Sequence, residues 1–220
     1  MTESELKVSQ MYVNRVEPED KLIGIDEISG EQTIADFWRW AFSDLCDDDV
    51  KGIFAEWLVC RLLDLPMTRR FSWANCDIRT PGGVRIEVKS SAWWQSWRLL
   101  NGDGSPREPR VEPSQVIQFR RLKSRDPELY GVCQGGEKDI VASYHADLYV
   151  FAIQNEHNAE IWNALDLRQW TFYLLTRNQV EGTGYASMSL KWLESKHSSL
   201  TAAEFRKAGL AALSGLTHGE

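Results

Sequence analysis

The chain has 220 residues with ordinary globular composition and a formal charge of −7, which suits one full core, with or without a small appendage. No stretch approaches the ~20 apolar residues of a membrane span, and the polar, acidic start from Met1 to Asp20 has no signal-peptide core. Cys46, Cys60, Cys76 and Cys133 form no C-x-x-C pair, so the expectation is a cytoplasmic protein with reduced thiols, no membrane and no zinc site.

In chain order, residues 1–32 lack sustained periodicity and read as an N-terminal arm with a short element near Leu22–Ile25; residues 33–220 read as a single domain. Thr33 is placed to cap a helix from Ile34 to about Leu45, with Phe37, Trp38, Ala41, Phe42 and Leu45 as its apolar stripe. Asp47, Asp48 and Asp49 precede a second helix, about Asp49 to Leu63. Acids there complement the helix dipole, and Pro66 follows as a stop. Ser72–Arg79 and Val84–Ser90 read as two strands joined by the turn Thr80-Pro81-Gly82-Gly83, a hairpin. Residues 101–113 and 123–139 read as loops, with a strand at Gln115–Phe119 between them. Leu148–Ile153 and Trp170–Leu175 are apolar runs of strand length. A last helix begins near Thr201 with the capping box Thr201-Ala202-Ala203-Glu204, turning Phe205, Ala208, Leu210 and Leu213 inward.

Charge is unevenly spread. Residues 1–64 hold fifteen acids and six bases, a net −9, which leaves +2 for the remainder. Between Arg98 and Arg125 stand seven bases and three acids, so a local basic stretch exists in an acidic chain.

The hairpin carries the chemistry. Strand side chains alternate faces, so Val84, Ile86 and Val88 point one way and Arg85, Glu87 and Lys89 the other. On the first strand Cys76 and Ile78 oppose Asn75, Asp77 and Arg79. With both apolar faces on the core, Asp77, Glu87 and Lys89 converge. Two carboxylates suit Mg²⁺, a hard cation, with the Val88 carbonyl as a further ligand. Lys89 is positioned to orient or deprotonate a water for attack on a phosphodiester.

The pattern of Asp77, nine residues, then Glu87-Val88-Lys89 resembles the PD-(D/E)XK nuclease superfamily, with Glu56 matching the acid that family places on the preceding helix. The run from Glu87 through Trp97 and the strand Ala146–Phe151 are similar to uncharacterised bacterial members. The likeness spans about residues 50–155, with the core at about 49–155. Cys76 stands where the family tends to have Pro. The resemblance implies an α/β fold, a mixed central sheet flanked by helices with a restriction-endonuclease-like core. It implies Asp77 and Glu87 as metal ligands, Lys89 as the catalytic lysine and Glu56 as an auxiliary acid.

Ser90, Ser91 and Gln95, close after the catalytic strand, and Arg107, Arg110, Arg120 and Arg121 in the basic stretch are the candidate nucleic-acid contacts. Trp93, Trp94 and Trp97 are candidates for base stacking, with core packing as the commoner use, and Gln115 and Gln118 are candidates for reading base edges. His145, His157, His197 and His218 make no metal-spaced pair, and no Walker loop is present, so no nucleotide cofactor is expected. The expected function is a Mg²⁺-dependent endonuclease acting on DNA, with RNA as the other polymer and a homodimer admissible. The alternative is a nuclease fold without catalysis, serving as a nucleic-acid-binding or assembly module.

Overall fold

The computed structural model describes residues 16–24, 31–67, 70, 74–95, 101–103, 105, 116–126 and 140–217. It divides into two compact units, Met1–Asp44 and Leu45–Glu220. Among the described residues no helix is long and apolar enough to cross a membrane.

In the first unit, Lys21 and Thr33 form an isolated antiparallel bridge, and Thr33 starts helix α1 (Ile34–Phe42). Asp36 reaches back to the Thr33 N–H at 2.9 Å, half of a capping box. The helix ends at Phe42, three residues short of the sequence expectation, and buries none of its residues. Its aromatic stripe is therefore no core face: Phe37, Trp38 and Phe42 are exposed, and Trp40 is 83% exposed. Ile25 lies outside the described residues.

The second unit is a mixed α/β structure whose four-stranded mixed sheet is flanked by helices. Helix α2 (Asp48–Leu62) begins one residue earlier than expected, because Asp47 is the cap and accepts from the Asp49 N–H at 2.9 Å. The sheet runs β1 (Ile78–Arg79), β2 (Arg85–Ala92), β4 (Leu148–Gln154), β5 (Trp170–Thr176), with β2 and β4 parallel and the outer pairs antiparallel. Strand β3 (Gln118–Phe119) pairs separately with β6 (Met188–Ser189). Of the expected strand Ser72–Arg79 only Ile78–Arg79 is ladder-bonded, and 71–73 lie outside the described residues. Strand β2 runs two residues past the expected Ser90, because its parallel partner β4 extends the ladder to Ala92–Gln154.

The hairpin turn holds as its residues require. Gly83 takes a left-handed φ of 81°, its N–H donates to the Thr80 carbonyl at 2.9 Å, and the Thr80 hydroxyl accepts from the Val84 N–H at 3.0 Å.

Two cores sandwich the sheet. On one face Ile86, Val88, Leu148, Val150 and Phe172 pack with Ala55, Leu58 and Val59 of α2 and Phe205 of α5 (Ala202–Thr217). On the other, Tyr149, Phe151, Ile153, Tyr173 and Leu175 pack under Phe119, Leu122, Met188 and Leu193. Strand β4 is buried at all seven positions, which is why it reads as an unbroken apolar run instead of alternating. The free side of β5 is closed by Leu200, which exchanges two backbone hydrogen bonds of 2.8 Å with Phe172.

Helix α5 has the expected capping box, Glu204 accepting from both the Thr201 N–H and hydroxyl at 2.8 Å. Phe205 is fully buried, while Ala208, Leu210 and Leu213 are half-buried. Two short helices were not foreseen: α3 (Arg177–Glu181), capped by Thr176, and α4 (Leu190–Lys196), capped by Ser189. Each is too brief to show a 3.6-residue period.

The Phe205 ring stacks on Phe172 with centroids 4.7 Å apart and ties α5 to the sheet. Phe205→Ala is expected to destabilise the second unit by ~3–5 kcal/mol, read as a lowered denaturant midpoint with unchanged slope.

Candidate active site

The alternation of β2 places Glu87 and Lys89 on the sheet face that carries Tyr149 and Phe151, their register partners on β4. Both side chains are 19% exposed, and the Lys89 ammonium donates to Glu87 Oε1 at 2.6 Å. Asp77 immediately precedes β1, and its Oδ2 accepts the Val88 N–H at 2.7 Å. The carboxylate therefore stands at the edge of the sheet, bonded to the backbone between Glu87 and Lys89. Glu56 comes from α2 and is held by Arg70 through two bonds, Nε to Oε2 at 2.6 Å and Nη2 to Oε1 at 2.8 Å.

These groups act on one another electrically. Burial pushes the Glu87 carboxyl up to about 7; the Asp77 charge adds to that, Lys89 opposes it, and Glu56 adds further. Burial likewise raises Asp77, against the pull of Lys89, the Val88 N–H and Arg70. Glu56 is raised first by burial, with the Arg70 bonds opposing and the Asp77 charge adding. Three carboxyl groups crowded out of water, with the Asp77 charge raising both others and Glu56 raising Glu87, make a centre where added positive charge is favoured.

Among the described residues, no group of three or more His, Cys, Asp or Glu is arranged to hold a metal ion. The donor chemistry nevertheless fits a hard divalent cation, which takes one or two carboxylates and completes its shell with water or phosphate. Asp77 and Glu87 are the two carboxylates that could serve in that way, and both are engaged by internal donors in this conformation.

The other candidates are placed as follows. Ser91 shares the face of Glu87 and Lys89, whereas Ser90 points to the opposite face, its buried hydroxyl without a hydrogen-bond partner. Gln95 is buried, its amide donating to the Ala92 carbonyl at 2.7 Å and accepting from Lys51, so both ends are engaged within the protein. Arg120 and Arg121 are exposed and follow β3, which lies beside β2 and packs Phe119 on Phe151 at 5.1 Å. They leave the layer that covers the Glu87 face. Gln118 is exposed on β3. Arg107, Arg110, Gln115 and Trp97 lie outside the described residues.

Trp94 is buried. Trp93 is half-buried, donates to Asn155 at 2.8 Å and lies against the His157 ring at 4.5 Å. Cys46, Cys60 and Cys76 are free thiols, and Cys133 lies outside the described residues.

Arg70 is the site residue that sequence reasoning missed. It stands fourteen positions from Glu56, beyond the helix stop, and no periodic rule links the two. No family model, no curated protein and no solved structure matches the chain.

The raised Glu87 has a consequence for stability. A carboxyl with a folded pKa above its unfolded value stabilises the fold below about 4.5, and that contribution is lost as pH rises through about 7. Glu87→Gln, which cannot ionise, is thus expected to be the more stable protein above pH 7 by roughly 1–3 kcal/mol, and to lose that advantage near pH 4. Thermal melts of both proteins from pH 4 to 8 in EDTA check this; a parallel pH dependence would mean that Glu87 is not strained by burial.

Proposed function

We propose that the chain is a divalent-metal-dependent nuclease that hydrolyses phosphodiester bonds in DNA, with Asp77, Glu87 and Lys89 as its centre and Glu56 as an auxiliary acid. The observation that carries this reading is the convergence of the three carboxyl groups with one lysine at the sheet edge, in a chain whose spacing resembles the PD-(D/E)XK superfamily. A mixed sheet with α2 on one face is compatible with a restriction-endonuclease-like core.

Asp77 and Glu87, with the Val88 carbonyl, would hold Mg²⁺ or Mn²⁺, which would polarise a phosphoryl oxygen of the substrate. Lys89 would then turn from Glu87 to the attacking water and orient it, and, as the neutral amine left once its ammonium has given a proton to solvent, take up the proton that the water sheds. The water oxygen bonds to phosphorus, one ester P–O bond breaks, and the departing oxygen is protonated from solvent. Arg120 and Arg121, exposed on the segment leaving β3, supply positive charge to the phosphate backbone in an otherwise acidic chain.

One observation favours a second reading, a nuclease fold that binds nucleic acid without cutting it. In this conformation Glu87 is paired with Lys89 and Glu56 with Arg70, and among the described residues no three His, Cys, Asp or Glu side chains stand ready around a cation.

Incubation with plasmid DNA, Mg²⁺ or Mn²⁺, and an EDTA control separates the two. The nuclease reading expects metal-dependent nicking that Lys89→Ala reduces by at least ~10²-fold, the usual scale for losing a group that assists proton transfer. Asp77→Asn is expected to weaken Mn²⁺ binding by calorimetry more than Glu56→Gln does. Wild-type protein that binds DNA but leaves it intact with either metal would establish the second reading.

A further inference from the structure

We propose that Arg120 and Arg121 form a preorganised clamp for the phosphate backbone of a nucleic acid, fixed in register with Glu87 and Lys89. This inference rests on the nuclease reading and deepens it, from positive charge in general to two groups at a built position.

The order of buried and exposed positions carries the argument. Ile117 and Phe119 are buried while Gln118 and Arg120 are exposed, the alternation of a strand. Continued by one more step, that alternation would bury Arg121. Instead Arg121 takes a left-handed φ of 58°, and Leu122 becomes the next buried residue. One extra residue resets the phase, as a bulge does, and leaves two consecutive arginines outside. A left-handed backbone is costly at a residue with a Cβ, and Gly or Asn is what it favours. Both arginine side chains are exposed, and neither has a hydrogen-bond or ion-pair partner among the described residues. Nothing inside the protein therefore accounts for an arginine at the strained position.

The anchors on either side set where the arginines stand. The Phe119 ring meets Phe151 edge-on at 5.1 Å, and Phe151 is the register partner of Lys89. The Leu122 carbonyl accepts from the Tyr149 hydroxyl at 3.5 Å, and Tyr149 is the register partner of Glu87. The clamp is thus fastened to the two β4 residues that stand beside Glu87 and Lys89, one strand spacing of about 4.8 Å away. The segment cannot slide. Phe119 pairs with Met188, the Leu122 N–H donates to the Ala186 carbonyl at 3.0 Å, and Ser124 exchanges two backbone bonds of 3.0 Å with Ser143. Two consecutive guanidinium groups on a fixed backbone suit phosphodiester oxygens, which carry no base identity. A strand held there is presented to the centre at a set offset.

Duplex binding in EDTA over a salt series, beside thermal melts, tests both parts. Wild type is compared with Arg120→Gly, Arg121→Gly, Arg121→Lys and Lys207→Ala. Lys207 is an exposed cation on α5, which packs on the opposite face of the sheet. Arg121→Gly should weaken binding of a fluorescent duplex about tenfold and lower the slope of log affinity against log salt by ~0.9, the value of one phosphate contact. Arg120→Gly should do the same. Lys207→Ala removes the same charge elsewhere and should do neither. Arg121→Lys should keep the slope and lose part of the affinity, because an ammonium lacks the guanidinium fork. In the melts Arg121→Gly should stand above Arg120→Gly: both add the chain freedom of glycine, but only the first relieves a left-handed φ. Equal melting of the two would overturn the strained, preorganised geometry. A salt slope for Arg121→Gly no lower than that of Lys207→Ala would overturn the clamp and leave the nuclease reading standing. A folded wild type that binds no DNA would overturn both.

Discussion

The hydrogen bond from the Val88 N–H to Asp77 is the contact on which the candidate site depends. Strand β1 contributes only two ladder residues, too few to fix the position of a side chain lying just before it. The carboxylate instead takes a backbone donor from the middle of β2. That pins Asp77 between the residues carrying Glu87 and Lys89, whose own directions are fixed by the alternation of a strand locked through seven register pairs to β4. Because β4 is buried on both faces, β2 cannot slip by one residue without driving Glu87 and Lys89 into the core formed by α2 and Val88, Val150 and Phe172. The geometry of the carboxyl cluster is thus inherited from the packing of the sheet.

That placement is held against an electrostatic cost. Burial raises all three carboxyl groups, the Asp77 charge raises Glu87 and Glu56 further, and Lys89 on Glu87 and Arg70 on Glu56 oppose that. Compensation goes further at Asp147 nearby: burial raises its carboxyl, but the bonds to Arg85 and the charge of Arg177 outweigh that and leave it lowered. Two acidic clusters on neighbouring strands therefore differ in sign: one is over-supplied with cations and knits β2 to β4 and α3, the other is over-supplied with carboxylates. Only the second would gain from an added cation.

Most of what positions this site is legible in the sequence. The turn Thr80–Gly83 announces the hairpin, and the period-two pattern of β2 gives the faces of Glu87 and Lys89 correctly. The apolar run at Leu148 locates the central strand. Three things are not legible, each for a physical reason. The extent of β1 depends on a ladder partner and not on propensity. The α1 stripe has the periodicity of a buried helix, yet no residue in it is buried, since periodicity reports a face and not what covers it. The Glu56–Arg70 pair joins residues across a helix end, where spacing carries no information. Gln95 belongs here too: its place just after β2 invites a role toward ligand, but the partner that engages it, Lys51, lies on α2, forty-four positions earlier.

Under the nuclease reading, an acidic chain has to admit a polyanion, and the arrangement shows how that conflict is managed locally. The excess of acids is concentrated before residue 65, while Arg120 and Arg121 leave the layer over the Glu87 face. At the centre itself the carboxylates are each covered by a donor from the protein: Glu87 by Lys89, Glu56 by Arg70, Asp77 by a backbone N–H. The three covers are unequal. A backbone N–H in a sheet edge cannot leave, whereas a lysine or arginine side chain can rotate away if the charge-assisted hydrogen bond it gives up is replaced. Asp77 is therefore the fixed member of the cluster and Glu87 and Glu56 are the adjustable ones. On that reading a hard ion could be taken up at Asp77 and Glu87 without moving the sheet, because only the tip of Lys89 would have to turn aside.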